Sequence, residues 1–164
     1  MTRRLSHRVF RRLSGSKGNT LVEAAVLTPL LLLLTFAIVD FASLLYVYLA
    51  LENGVSQATR FAVTGNLMDD PGNPGTPLSR EGSIKAAMRQ ATPTLTIDDS
   101  AFTFNHFSPG GSSWSGGTGG PGDVEKVTVT YTWTLFTPLI RAFFTNGQIV
   151  LTVDSAMKNE GRPE

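Results

Sequence analysis

Between Ala24 and Leu51 the chain carries a single charged residue, Asp40, and no other feature restricts its fold as severely. As a helix, Leu21 to Val39 would extend about 28 Å at about 1.5 Å per residue, close to the hydrocarbon thickness of a bilayer. No other segment approaches that length and apolarity, so one membrane crossing is expected. Before Gly18 stand six basic residues, Arg3, Arg4, Arg8, Arg11, Arg12 and Lys17, and no acidic one, whereas the rest of the chain holds eight basic and thirteen acidic residues. A basic arm can bind nucleic acid, but one that abuts a long apolar run holds that end in the cytosol. The reading is therefore no nucleic-acid partner, a cytosolic N-terminus and an exported remainder. An ordinary secretory signal has a shorter apolar core and an A-x-A-like cleavage site, and Phe36 to Leu51 offers no clean site of that kind. With no cysteine in the chain, disulfides and thiolate metal sites are excluded.

Beyond the span, Phe41, Leu44, Leu45, Tyr48, Leu51, Val55, Ala58 and Ala62 recur at helical spacing. One helix from about Thr20 to about Thr64 is expected, stopped by Gly65 and Asn66. Pro29 lies inside it and removes the hydrogen bond to the Ala25 carbonyl, which predicts a kink or local loosening. Dense turn punctuation, DDPGNPGTP, fills the following loop. A short helix is expected at about Arg80 to Ala91, ended by Pro93, then strands at Leu95 to Ile97 and Ala101 to Phe107. Ser108 to Gly122, with seven glycines, reads as a mobile loop. In VTVTYTWTL, Val127 to Leu135, large apolar residues alternate strictly with threonine, which marks a strand with one buried and one wet face. Gln148 to Val153 supplies another strand. The fold class expected is α+β: a long N-terminal transmembrane and amphipathic helix packed against a small antiparallel sheet. Its divisions are a leader, 1–18, the long helix, 19–64, with a span at about 21–39, and a head, 65–164, with a glycine-rich loop at 108–122.

Little in the head suggests chemistry. His7 lies in the leader and His106 stands alone in a strand, without metal-ligand spacing. The glycine-rich stretch lacks a P-loop lysine, and GSSWSG lacks the strand and helix that a nucleophile elbow requires. Asp69, Asp70 and Asn73 could offer oxygens to calcium, but the EF-hand spacing is absent and turn chemistry accounts for them. No catalytic residue, cofactor or metal is assigned. Whether the 69–73 turn takes calcium stays open.

Glu23 is the anomaly, a carboxylate in the first turns of a membrane-grade helix. A capping box, Thr20-x-x-Glu23, would place both side chains on free backbone donors at a helix start. Alternatively, Gly18 and Asn19 flank a processing site and Glu23 is the fifth residue of the mature chain. GSKGNTLVEAAV resembles the class III signal of type IV pilin-like proteins, which a prepilin peptidase cuts after glycine on the cytosolic side. The continuation to Gly65 resembles the TadE-like family of minor pseudopilins in tight-adherence (Tad/Flp) pilus systems. The matching pieces are Val22-Glu23-Ala24, Pro29 before Leu30 to Leu34, the pair Asp40-Phe41, and Leu51 to Ala62 with Arg60. Ala24 stands where phenylalanine is commoner and Asp40 where glutamate is. The segments TPLIRAFF and IVLTVDSAMKNE are similar in outline to the family's final strands, whereas Asn66 to Pro121 carries no resemblance.

That resemblance implies a non-enzymatic assembly subunit, with Glu23 accepting the new Asn19 amine of a neighbouring subunit. The partners it implies are the prepilin peptidase, other pseudopilins and the major pilin, an inner-membrane assembly platform and membrane lipid. It implies a single pass through a bacterial inner membrane, with a periplasmic head, and later a place in the pilus at the cell surface. A shaft subunit of this kind is usually much shorter, but an initiating, tip or shaft role stays open, as does any adhesive ligand. Two other readings remain: an anchored periplasmic binding module with an uncleaved leader, and a soluble enzyme released by signal peptidase.

Overall fold

A computed structural model describes residues 16–160; most of the basic leader, His7 included, and the last four residues lie outside the described residues. The chain divides into two compact units, Met1–Phe36 and Ala37–Glu164. Helix α1, Ser16–Val63, supplies the described part of the first and the opening of the second. It is long and apolar enough to span a membrane, and only 11% of its most apolar window is buried, unlike the core helix of a soluble protein. Within the first unit Pro29 removes one backbone donor, and the Thr35 hydroxyl donates to Leu31 O at 2.8 Å.

In the second unit the head elements follow. A small hairpin pairs β1, Asp69–Asp70, with β2, Asn73–Pro77. Helix α2, Arg80–Ala91, starts where the Ser79 side chain accepts from Gly82 N, and stops as the Pro93 turn approaches. A four-stranded antiparallel sheet has the order β4-β3-β5-β6, with β3 Phe102–Phe107, β4 Ser115–Gly116, β5 Val124–Thr134 and β6 Gln148–Lys158. A one-turn helix, α3, Pro138–Arg141, lies in the β5–β6 connection. Phe102 opposes Val129, Phe104 opposes Val127, and Val129 in turn opposes Val153. This face packs with Leu51, Val55 and Ala58 of α1 and Ile84 and Met88 of α2 in one core. Thr130, Thr132 and Thr134 are on the exposed side. The α+β expectation is met: a long apolar helix packs against small antiparallel sheets.

Four expectations are corrected. No strand forms at Leu95 to Ile97; the Ile97 carbonyl accepts Arg89 Nε and Nη2 at 3.1 and 2.9 Å, so it serves a side chain rather than a ladder. The apolar stripe on α1 runs through Val47, Leu51, Gly54, Val55, Ala58 and Ala62, leaving Phe41, Leu45 and Tyr48 exposed. Gly54 explains part of that choice of face, since a Cβ there would meet Thr92 Cγ2 at 2.5 Å, and only glycine lets α2 approach so closely. The strand expected over Gln148 to Val153 continues to Lys158. Finally, the end of the glycine-rich loop is tied down: Asn159 Nδ2 donates to Thr118 O and Gly120 O at 3.3 and 2.9 Å, and Gly117 N to Phe104 O at 2.9 Å.

Leu51 and Val55 are fully buried, and each such side chain contributes about 1.5 to 3 kcal/mol. A chain beginning at Ala37 is therefore expected to melt cooperatively, whereas one beginning at Gly65 should be unfolded or aggregate through its bare sheet face. Circular dichroism melts of the two check this; equal cooperative melting would show that the sheet completes its own core.

Candidate assembly helix and its polar ties

From Thr20 to Leu30 every residue is exposed, Glu23 among them. Gly18 and Asn19 fall in the first turn of α1, because the helix already begins at Ser16. Thr20 and Glu23 thus lie beyond the helix start in the uncut chain, and a capping box at Thr20 has no helix start to serve there. Removal of residues 1–18 would create one. Phe41 and Arg60 are exposed, and Arg60 sits in the last turn of α1, where a cation favours the negative end of the helix dipole.

Asp40 has a definite structural task. Its side chain is fully buried, and its two oxygens accept Phe136 N at 2.7 Å and Thr137 N at 3.0 Å. These amides follow the end of β5 and precede α3, a corner where the ladder provides no acceptor. A second tie lies at the other end of β5. Glu125 is buried with no exposure, and its Oε2 accepts Arg80 Nη2 at 2.8 Å. The same guanidinium donates to Ala62 O near the C-terminus of α1 and to Gly119 O in the glycine-rich loop.

The two ties are commensurate. Asp40 to Ala62 spans about 33 Å of helix, and Glu125 to Phe136 about 36 Å of strand. These similar lengths let β5 be fastened to α1 near both ends. Sequence reading placed Asp40 on a family pattern without giving it this role, and it missed Glu125 and Arg80 altogether. A signal for Glu125 was present: it shares the period-two face of Val127 and Val129.

Of the other candidates, His106 Nδ1 lies 3.2 Å from Gly117 O and holds the loop against β3. Asp70 Oδ1 accepts Gly72 N at 2.9 Å, and Asn73 Nδ2 donates to Thr76 Oγ1 at 2.9 Å, so both close their own hairpin. The structure does not bring Glu23, Asp40 and Arg60 together; they occupy separate turns of one helix.

Comparison with known families agrees with the helix. Residues 18–60 match the model of the family described as TadE-like protein. This stretch is similar to that family. The match begins at Gly18 itself. It covers most of α1 and leaves the head outside. No curated protein and no solved structure matches the chain.

Removing Asp40 takes the acceptor from two part-buried amide donors, which costs up to about 1 to 3 kcal/mol for each donor left unsatisfied. Asp40→Ala should therefore lower the thermal midpoint clearly. Asp40→Asn keeps one acceptor and should fall between the mutant and the parent. Equal melting of all three would show that the corner finds other partners.

Burial pushes the Glu125 carboxyl above its usual 4.5, against the opposing pull of Arg80; its Oε1 has no hydrogen-bond partner. As pH rises past 4.5 the folded chain keeps this proton longer than the unfolded chain does. The contribution of this group to stability consequently falls as pH rises through that window. Thermal melts at successive pH values should show Glu125→Gln losing less stability than the parent between pH 4.5 and neutrality. A larger loss in the mutant would reverse the assigned direction.

Proposed function

We propose that this chain is a minor pseudopilin of a Tad/Flp-type pilus, cut after Gly18 by a prepilin peptidase and held in a small initiating or tip assembly by α1. One observation carries the reading: an exposed carboxylate, Glu23, five residues beyond Gly18 on an apolar helix inside the stretch similar to the TadE-like family. A charged side chain costs on the order of 2.5 to 3.5 kcal/mol at the bilayer centre and less near its surface. Pairing with an ammonium of opposite sign in a low-dielectric helix bundle offsets that cost. Cleavage provides such a group, the amine of Asn19 on a neighbouring subunit, so the carboxylate becomes a drive toward assembly.

In this reading the leader stays in the cytosol, the span at about 21–39 crosses the inner membrane, and the head stands in the periplasm until it enters the pilus. The head then offers contacts to other pseudopilins, the major pilin and the assembly platform. Pro29 loosens the helix where it must repack from lipid into protein.

Mass spectrometry of protein recovered from assembled pili should give a mature chain starting at Asn19, N-methylated as in class III signals. An intact Met1 leader would instead favour the anchored binding module. Glu23→Ala should leave insertion and cleavage intact but abolish most co-purification with partner pseudopilins. If Glu23 only capped a helix, the change would cost about 1 kcal/mol in helix stability and assembly would proceed.

A further inference from the structure

We infer that the β5–β6 corner lies on the surface of the lipid bilayer that α1 crosses, so that the head has a second, interfacial contact with the membrane. The inference rests on α1 being a membrane span. Three large apolar side chains stand out of this corner: Phe136, Leu139 and Phe143 are 61%, 57% and 81% exposed. They are not loose. Ile140 is buried between them in sequence, and Arg141 N, Phe143 N and Phe144 N donate to Thr137 O, Ile140 O and Arg141 O at 3.0 Å each. A rigid turn that buries one apolar residue and presents three is built to meet an apolar medium.

Asp40 fixes the height of this turn. It is the first charged residue after the apolar run that ends at Val39, and its carboxylate holds the Phe136 and Thr137 amides at 2.7 and 3.0 Å. The corner therefore lies beside the helix turn at which the span leaves hydrocarbon. On α1 itself Ile38, Val39 and Phe41 are each at least half exposed there. Phe and Leu side chains beside a basic residue are what a face lying in the bilayer interface carries, and an arginine stem reaches from it to headgroup level. The corner also has the charge for it: no acidic residue occurs between Glu125 and Asp154, and Arg141 is exposed among the apolar side chains. Its Nε donates to Leu135 O, which orients the guanidinium at the corner. The ligand class is thus a phospholipid interface, with apolar insertion as the main contact and headgroup phosphate taken by Arg141.

The cysteine-free sequence makes the test direct. Single-cysteine variants of the full chain, Phe143→Cys, Leu34→Cys and Thr130→Cys, are nitroxide-labelled and reconstituted in vesicles of phosphatidylcholine and phosphatidylglycerol. Collision with oxygen and with a water-soluble nickel chelate then reports depth. The Leu34→Cys label should lie deep and the Thr130→Cys label in water, with the Phe143→Cys label at headgroup depth and its nickel collision rate several-fold below that of Thr130→Cys. Equal nickel access at Phe143→Cys and Thr130→Cys, with Leu34→Cys still deep, overturns the inference while leaving the span intact. A water-accessible Leu34→Cys label overturns the span and this inference with it. Spin–spin broadening at Phe143→Cys that disappears on dilution with unlabelled chain assigns the corner to a second copy instead, and also overturns it. Phe143 lies outside the core, so its replacement leaves the fold in place for the measurement.

Discussion

The inner face of the four-stranded sheet cannot stay wet, and the second half of α1 is what covers it. Phe102, Phe104, Val127, Val129 and Val153 meet Leu51, Val55 and Ala58 across a dry seam completed by α2. Small residues make the seam close, since nothing larger than glycine fits at position 54 against Thr92. Hydrophobic burial of this kind is the dominant favourable term in folding, so the head depends on a helix whose earlier turns are exposed and apolar enough to span a membrane. One element thereby passes from an exposed apolar surface to a buried one, and among the described residues Asp40 is the first buried one along it.

Polar groups finish what burial begins. A helix end leaves carbonyls without partners; here Arg80 takes Ala62 O and Glu160 N takes Val63 O. Arg80 also meets Glu125 at 2.8 Å, so removing the guanidinium would take from the buried carboxyl its hydrogen-bond donor. The guanidinium therefore joins four pieces distant in sequence: the end of α1, the start of α2, the glycine-rich loop and the start of β5. The loop gains its order from these distant groups rather than from its own composition.

What was legible in the sequence followed from local rules. Helix α2 was readable because apolar spacing and Pro93 agree on its limits, and β5 because threonine alternates with large apolar residues. The class of fold followed from those two elements and the apolar run. Less legible was the face that α1 turns inward: Phe41, Leu45 and Tyr48 fit the helical period as well as Val47 does, and only the position of Thr92 and the sheet selects between them. Glu125 was opaque for a related reason, since a lone charge reads as solvated until Arg80, far away in the chain, is placed beside it. Asp40 stood on a recognisable pattern, but its partners are backbone amides, which no side-chain pattern can announce. The roles proposed for Gly18, Asn19 and Glu23 rest on geometry between subunits, which one chain does not hold.

Fastening β5 to α1 at both ends has a mechanical consequence. A load drawn along the helix axis cannot open the head one rung at a time, as a zip opens from a free end, because neither end of the strand is free. Asp40 and the Arg80–Glu125 pair must yield together with the apolar seam between them, so the load is shared in shear over about 33 Å of helix. Such an arrangement resists pulling along the stem far better than peeling across it. It suits a folded head that takes its load through its own helical stem.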